Sequence, residues 1–367
     1  MRSPWFLTLL LFGACRGNFD AQPDAAVDGP EPVPLPALVC ARRSTPATTV
    51  TGADLAVASR DDGYVAAWID PATAAVQVMT FDRGRVATGD RRVMATGSTR
   101  LAGLEPRPER IWMVASSATN QTLWSLANDL SAASSVLTED TVSGFEPIGT
   151  GQIGSTLPIW IRGARDTAAL RLSYLTTGGE VGAVNTFVTG GKVTALSATD
   201  YVDHVHLAWR EDSGRCVGTD VDFEAAPTVT GPSLITEDCT DLRIVSGPPP
   251  HDPLVTAWTN VAGEVRIKYV GGSIPSGGTE FLATVGNGTA PKITFDGEAY
   301  WIAWWKDGAV QLARVDSQGQ VSHSMVPSSQ GYLPVSEGAF ELVRRGISVD
   351  LVILSSDALT FLALCAP

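Results

Sequence analysis

Six tryptophans, Trp68, Trp112, Trp160, Trp209, Trp258 and Trp304, stand 44, 48, 49, 49 and 46 residues apart. An interval this regular marks a chain built from successive copies of one supersecondary unit, and it excludes folds whose elements are all different. The clearest copy runs from 291 to 327, PKITFDGEAYWIAWWKDGAVQLARVDSQGQVSHSMVP. Its runs PKITF, AYWIAWW, AVQLARV and QVSHSMV are short and rich in β-branched and aromatic residues. They are broken at Asp296-Gly297, at Lys306-Asp307-Gly308 and at Ser317-Gln318-Gly319. Strand-length apolar runs separated by Asp-Gly and Gly-containing breaks are hairpin chemistry, because Gly and Asp accept the positive φ that tight turns demand.

Four short antiparallel strands in a repeat of about 47 residues make one blade of a β-propeller. The second strand recurs as YVAAW, LPIW, VHLAW, LVTAW and WIAW, and the third as VQVMTFD, LRLSYL, VRIKYV and VQLARVD. In the second unit IWMVA matches YVAAW, so Ala115 takes the tryptophan position and Trp112 stands three residues off register. A seventh unit, VDLVILSSDALTFLALC, places Leu354 there. No amphipathic stretch is long enough for a helix; DLSAASSVL at 129 is short and Ser-rich and is expected as turn or strand. The expected fold is all-β: a seven-bladed β-propeller of four-stranded antiparallel blades over residues 40–367. A large side chain at one strand position per blade is core packing between adjacent blades.

The seventh unit ends after its third strand, at Pro367, while the stretch at 40–50 is one strand in excess. The N-terminal strand is therefore expected to complete the last blade. The end of a third strand faces the start of a fourth, which brings Cys365 to Cys40. Of the remaining cysteines, Cys216 lies in the third strand of unit four and Cys239 in the connection to unit five, and these two are expected to pair.

The motif DG-x-Y-W/V-x-A-W, followed by an alternating strand and D-x-x-G-x-V, is best matched from Asp296 to Val321. It resembles the β-propeller repeats of secreted and surface-anchored bacterial lipoproteins, over about residues 53 to 365. The chain opens MRSPWFLTLLLFGAC, with Arg2 before an apolar run too short to span a bilayer. FGAC resembles a lipobox, with Phe12 where the family prefers Leu; the resemblance implies a signal peptide at 1–14 and lipidation of Cys15, and the alternative is an ordinary secretory signal. Arg16 rather than Asp follows Cys15, which by the same resemblance favours the outer membrane. Residues 15–39, dominated by Pro, Ala and Asp, are expected to be a disordered tether. The formal charge is −13, and −14 once Arg2 leaves with the signal. Such a surface repels phosphate backbones and anionic headgroups, so nucleic acid is not an expected partner, and contact with the membrane is expected through the lipid anchor alone.

Local patterns add little chemistry. Gly149-Thr-Gly-Gln-Ile-Gly154 is followed by a strand with a proline rather than by a helix, so no dinucleotide or other cofactor is expected. Glu211-Asp-Ser-Gly214 and Ser59-Arg-Asp-Asp-Gly63 read as hairpin turns. His204 and His206 share a strand face without a third ligand, so no metal is expected. In a propeller the loops joining second to third strands crowd one face around the channel. Here they carry Asp70, Arg162, Arg165, Asp166, Arg210, Glu211, Asp212, Lys306 and Asp307, the candidate binding residues. The expectation is a monomeric, non-enzymatic envelope propeller binding a protein or glycan. A glycan-cleaving enzyme and a structural subunit of an envelope assembly are the alternatives. A deep channel pocket with two or more carboxylates would favour the enzyme; a broad charged or aromatic face would favour the binder.

Overall fold

The computed structural model describes residues 38–46, 54–117, 119–139, 147–149, 158–163, 167–175, 180–201, 204–222, 228–229, 231–247, 254–271, 280–325, 335–355 and 358–365. Among them every regular element is a strand. They form seven antiparallel sheets, each with its strands side by side in chain order except the last. The first strand of each sheet contacts the first strand of the next, and the first strand of the seventh contacts that of the first, so the sheets are the blades of a closed ring. The expected seven-bladed propeller is the fold observed.

Blade 6 shows how local sequence makes a blade. Its strands are Thr289–Phe295, Tyr300–Lys306, Ala309–Val315 and Val321–Met325. Lys306 pairs with Ala309, which leaves Asp307 and Gly308 as a two-residue loop with φ of 51° and 82°. Two successive positive φ values match the right-handed twist of the flanking strands, and Asp-Gly is the dipeptide that adopts them at least cost. At the preceding turn the Asp296 carboxylate accepts the backbone N–H groups of Glu298 (2.7 Å) and Ala299 (2.8 Å) through Oδ1, and the Trp301 indole N–H (2.7 Å) through Oδ2. Asp129 and Leu130 form a turn leading into the strand Ala133–Glu139, as expected for that segment.

The tryptophan position is one place in three dimensions. Trp68, Ala115, Trp209 and Trp258 pair across their hairpins with Leu55, Leu101, Leu196 and Leu242. Trp68 shares the face of Tyr64, whose ring lies against Phe361 of blade 7 (centroids 5.4 Å apart). Trp304 donates its indole N–H to the Asn287 carbonyl of blade 5, and a Cβ on Gly286 of that blade would stand 2.5 Å from its ring. The position thus points at the preceding blade, and glycine makes room for the indole. Removing about 200 Å² of indole from water stabilises by about 5 kcal/mol at ~25 cal/mol/Å². Trp112 is three residues off register, so it sits on the opposite face, in the core shared by blades 2, 3 and 4; Trp301 takes the equivalent place in blade 6.

Blade 7 is assembled from both ends of the described chain. Its strands Phe340–Arg345, Ser348–Leu354 and Ala358–Leu364 are completed on the outer edge by Val39–Pro46, paired antiparallel with the third. Cys40 and Cys365 are bridged across that pairing, and Cys216 is bridged to Cys239, as the blade arrangement predicts. Apart from Leu38 and Val39, which enter the core, the borrowed strand is mostly exposed. A buried polar cluster also spans the seam between blades 7 and 1. Asp350, 1 % exposed, receives the Tyr64 hydroxyl on Oδ2 and Arg85 on Oδ1 (Nη2 2.6 Å, Nε 2.9 Å), and Arg345 donates to the Tyr64 oxygen (3.2 Å). Arg85 reaches the carboxylate from a turn at φ 65°, a left-handed conformation unusual for a long side chain. Burial raises the Tyr64 pKa above its ordinary value, and the hydrogen bond to Asp350 adds to the rise, so the phenol holds its proton.

Candidate functional site at the channel mouth

In blades 1, 4 and 5 the second-to-third hairpin lies on the same face as the connection entering the first strand. Ile69 N–H bonds Asp54 O (3.1 Å) in blade 1, Asp212 N–H bonds Lys192 O (2.9 Å) in blade 4, and Thr240 N–H bonds Thr259 O (2.7 Å) in blade 5. That face opens into a cavity of about 910 Å³ whose walls are the first strands of blades 1, 2, 4, 5, 6 and 7. First strands are innermost, so this cavity is the mouth of the central channel.

Five carboxylates and three cations line it: Asp54, Glu105, Asp241, Glu337 and Glu341, against Arg100, Arg243 and Lys292. Among the described residues no aromatic side chain does. Some of these charges are already engaged. Lys292 Nζ of blade 6 contacts Glu341 Oε2 of blade 7 at 2.7 Å, and Glu105 pairs with Arg107 at 2.8 Å. Asp54 Oδ2 accepts the Leu101 N–H of blade 2 (2.7 Å). Its other oxygen lies against Gly338 of blade 7, where a Cβ would come within 2.4 Å of it. Burial raises the Asp54 pKa above the usual carboxylate value; the Leu101 N–H, Lys292 and Arg100 pull it down, and Glu341 pushes it up. Asp54, Arg100 and Asp241 occupy one position, the residue before the first-strand leucine that faces the tryptophan position.

The residues marked from sequence stand around this mouth rather than in its wall. Asp70 caps its own turn, accepting Ala72 N–H and Thr73 Oγ1–H at 2.9 Å each. Arg162 is fully buried: its Nε and Nη2 donate to the Glu139 carboxylate, Nη1 donates to Ser173 Oγ (3.0 Å), and its guanidinium carbon sits 4.2 Å from the Trp160 ring centroid. Arg210 donates to Cys239 O (2.6 Å) and Thr194 Oγ1 (3.0 Å), tying blade 4 to the disulfide segment. Glu211 is buried against Gly190, while Asp212 is exposed. Lys306 and Asp307 are exposed at a hairpin tip. Arg165 and Asp166 lie outside the described residues, as do Cys15 and most of Gly149 to Gly154. His206 Nδ1 contacts the Asp220 carboxylate.

The cavity charges were missed because they belong to first strands, whereas the sequence reading looked to the hairpin loops. The signal available was the residue before each first-strand leucine: Asp54-Leu55, Arg100-Leu101 and Asp241-Leu242.

No protein-family model matches the chain, and no curated protein matches it. Among solved structures, the WD40 domain of Toxoplasma gondii coronin is similar at TM-score 0.53 and 12 % identity, covering 91 % of this chain and 89 % of that one. YCF48 from Cyanidioschyzon merolae is similar at TM-score 0.54 and 12 % identity, covering 88 % and 98 %. BBS1N, solved in complex with ARL6DN, is similar at TM-score 0.56 and 11 % identity, covering 90 % and 96 %. At such identities the likeness extends to the fold, and the fold it supports is the β-propeller.

Proposed function

We propose that the chain is a non-enzymatic binding module that receives a protein partner at the channel mouth, held at the bacterial cell envelope by a lipid on Cys15. The observation that carries the reading is the cavity: a concave, charge-lined recess ringed by six blades, of the kind that takes a projecting polar segment. Its lining of opposite charges matches the mixed charged side chains of a protein segment. The resemblance of BBS1N, itself solved with ARL6DN, is consistent with the use of such folds as docking platforms. The lipid anchor and the outer-membrane address rest on the FGAC sequence and on Arg16.

Glycan cleavage is the second reading, and one observation favours it: several carboxylates share a deep pocket, one of them with a raised pKa. Against it, Glu341 is neutralised by Lys292 and Glu105 by Arg107. Affinity capture from envelope extracts, compared between the native chain and an Arg100→Glu, Arg243→Glu double variant, tests the leading reading. A stoichiometric protein partner lost from the variant is the expected result. Turnover of a glycan panel with no such partner overturns it.

A further inference from the structure

We propose that Asp54 anchors a cation subsite in the channel mouth, taking a lysine or arginine side chain of the partner; this rests on the binding reading above. Asp54 is set in place from both neighbouring blades. The Leu101 N–H of blade 2 holds Oδ2, and Gly338 of blade 7 lets Oδ1 come closer than any side-chain-bearing residue would allow. Oδ1 takes no hydrogen bond among the described residues, although Asp54 lines the cavity. A carboxylate of the channel wall fixed by one oxygen, whose other oxygen takes no hydrogen bond among the described residues, is preorganised for a charge-assisted hydrogen bond from an incoming N–H.

The surrounding charges leave room for that cation. Lys292 contacts Glu341, and Arg100, the other cation acting on Asp54, is exposed on the rim. Glu337, adjacent to Gly338 and exposed at the same wall, adds a second negative charge. An incoming ammonium or guanidinium at Oδ1 offsets the cost of holding Asp54 charged in a partly desolvated place. A neutral or anionic side chain offers no such compensation.

The experiment titrates N-acetyl-arginine amide, N-acetyl-lysine amide and N-acetyl-glutamine amide into the full chain, followed by NMR. The cationic amides are expected to bind and the glutamine amide not. Asp54→Asn is expected to weaken cation binding tenfold or more, while Glu298→Gln, an exposed carboxylate in the first turn of blade 6, leaves it unchanged. Binding to the native chain is expected to fade as pH falls through the raised Asp54 range. Arg100, Lys292, Glu337 and Glu341 are the charged groups around Asp54, and a Glu337→Gln chain is expected to keep the dependence that Asp54→Asn loses. Equal binding of all three amides, or cation binding indifferent to Asp54→Asn, overturns the subsite. A protein partner captured equally by the native and Asp54→Asn chains removes the anchor and leaves the binding reading standing. If neither cationic amide nor partner binds, both fall.

Discussion

In blade 6 four strands follow one another between Thr289 and Met325, so each hairpin forms against a neighbour already at hand. In blade 7 three strands follow one another, and the fourth arrives from a segment whose cysteine lies 325 residues from its partner. The local blade is made by turn chemistry: Asp307-Gly308 and the Asp296 cap fix register through contacts only a few residues apart. The seam has no such help. Joining its ends requires closing the whole chain, and that entropy is recovered only through contacts made after closure. Besides packed rings such as Phe81 and Phe361 (5.0 Å), which blade 6 also has, the seam carries a disulfide and a buried carboxylate with two arginines and a tyrosine.

The largest expected effect follows from loop length. In the chain-entropy account, losing the bridge across 325 residues costs about 6 kcal/mol and losing the one across 23 residues about 3 kcal/mol. Denaturant unfolding of Cys40→Ser and Cys216→Ser chains measures both. A Cys216→Ser chain that is the less stable of the two breaks the contrast between seam and local blade. Next comes Arg85→Met, which leaves Asp350 buried without its cation. The expected loss is about 3 kcal/mol, at the low end for a broken buried pair because Arg85 keeps some exposure to water. Adding Asp350→Asn is expected to return part of that stability, and a double variant as unstable as Arg85→Met alone would show that the charge is not what the seam holds.

The smallest effect belongs to Asp54, and its sign is opposite. The folded-state pKa of Asp54 is raised, so the folded chain holds the proton more tightly than the unfolded one. The group's contribution is therefore favourable below the ordinary carboxylate pKa and is lost as pH rises through the raised value. Asp54→Asn is expected to raise the melting temperature slightly at pH 7 and to lose that advantage in acid. A variant less stable at pH 7 would show that its interactions with Lys292 and Arg100 outweigh its desolvation.

Several particulars were legible in the sequence because they depend on short separations or on repetition. The Asp307-Gly308 turn needs only two residues. Assigning Ala115 to the tryptophan position needed only the match of IWMVA to YVAAW, and the pairing of Ala115 with Leu101 agrees with it. Cys40 with Cys365 followed from counting strands. The candidate site was less legible. Arg162 and Glu211 look like exposed loop charges in a linear reading, yet both are buried at blade junctions, Arg162 on Glu139 and Trp160, Glu211 against Gly190. Asp54, Leu101 and Gly338 meet though they come from three blades, and nothing local to any one of them announces the meeting.

The sequence by itself determined the unit, its number and the strand that closes the ring, because period, turn dipeptides and strand count are properties of neighbouring residues repeated along the chain. Only the tertiary structure decided which charges face the channel and which are consumed between blades. Closing the ring brings first strands from six blades around one cavity, and the free energy of a charge there depends on groups that the sequence sets tens to hundreds of residues away.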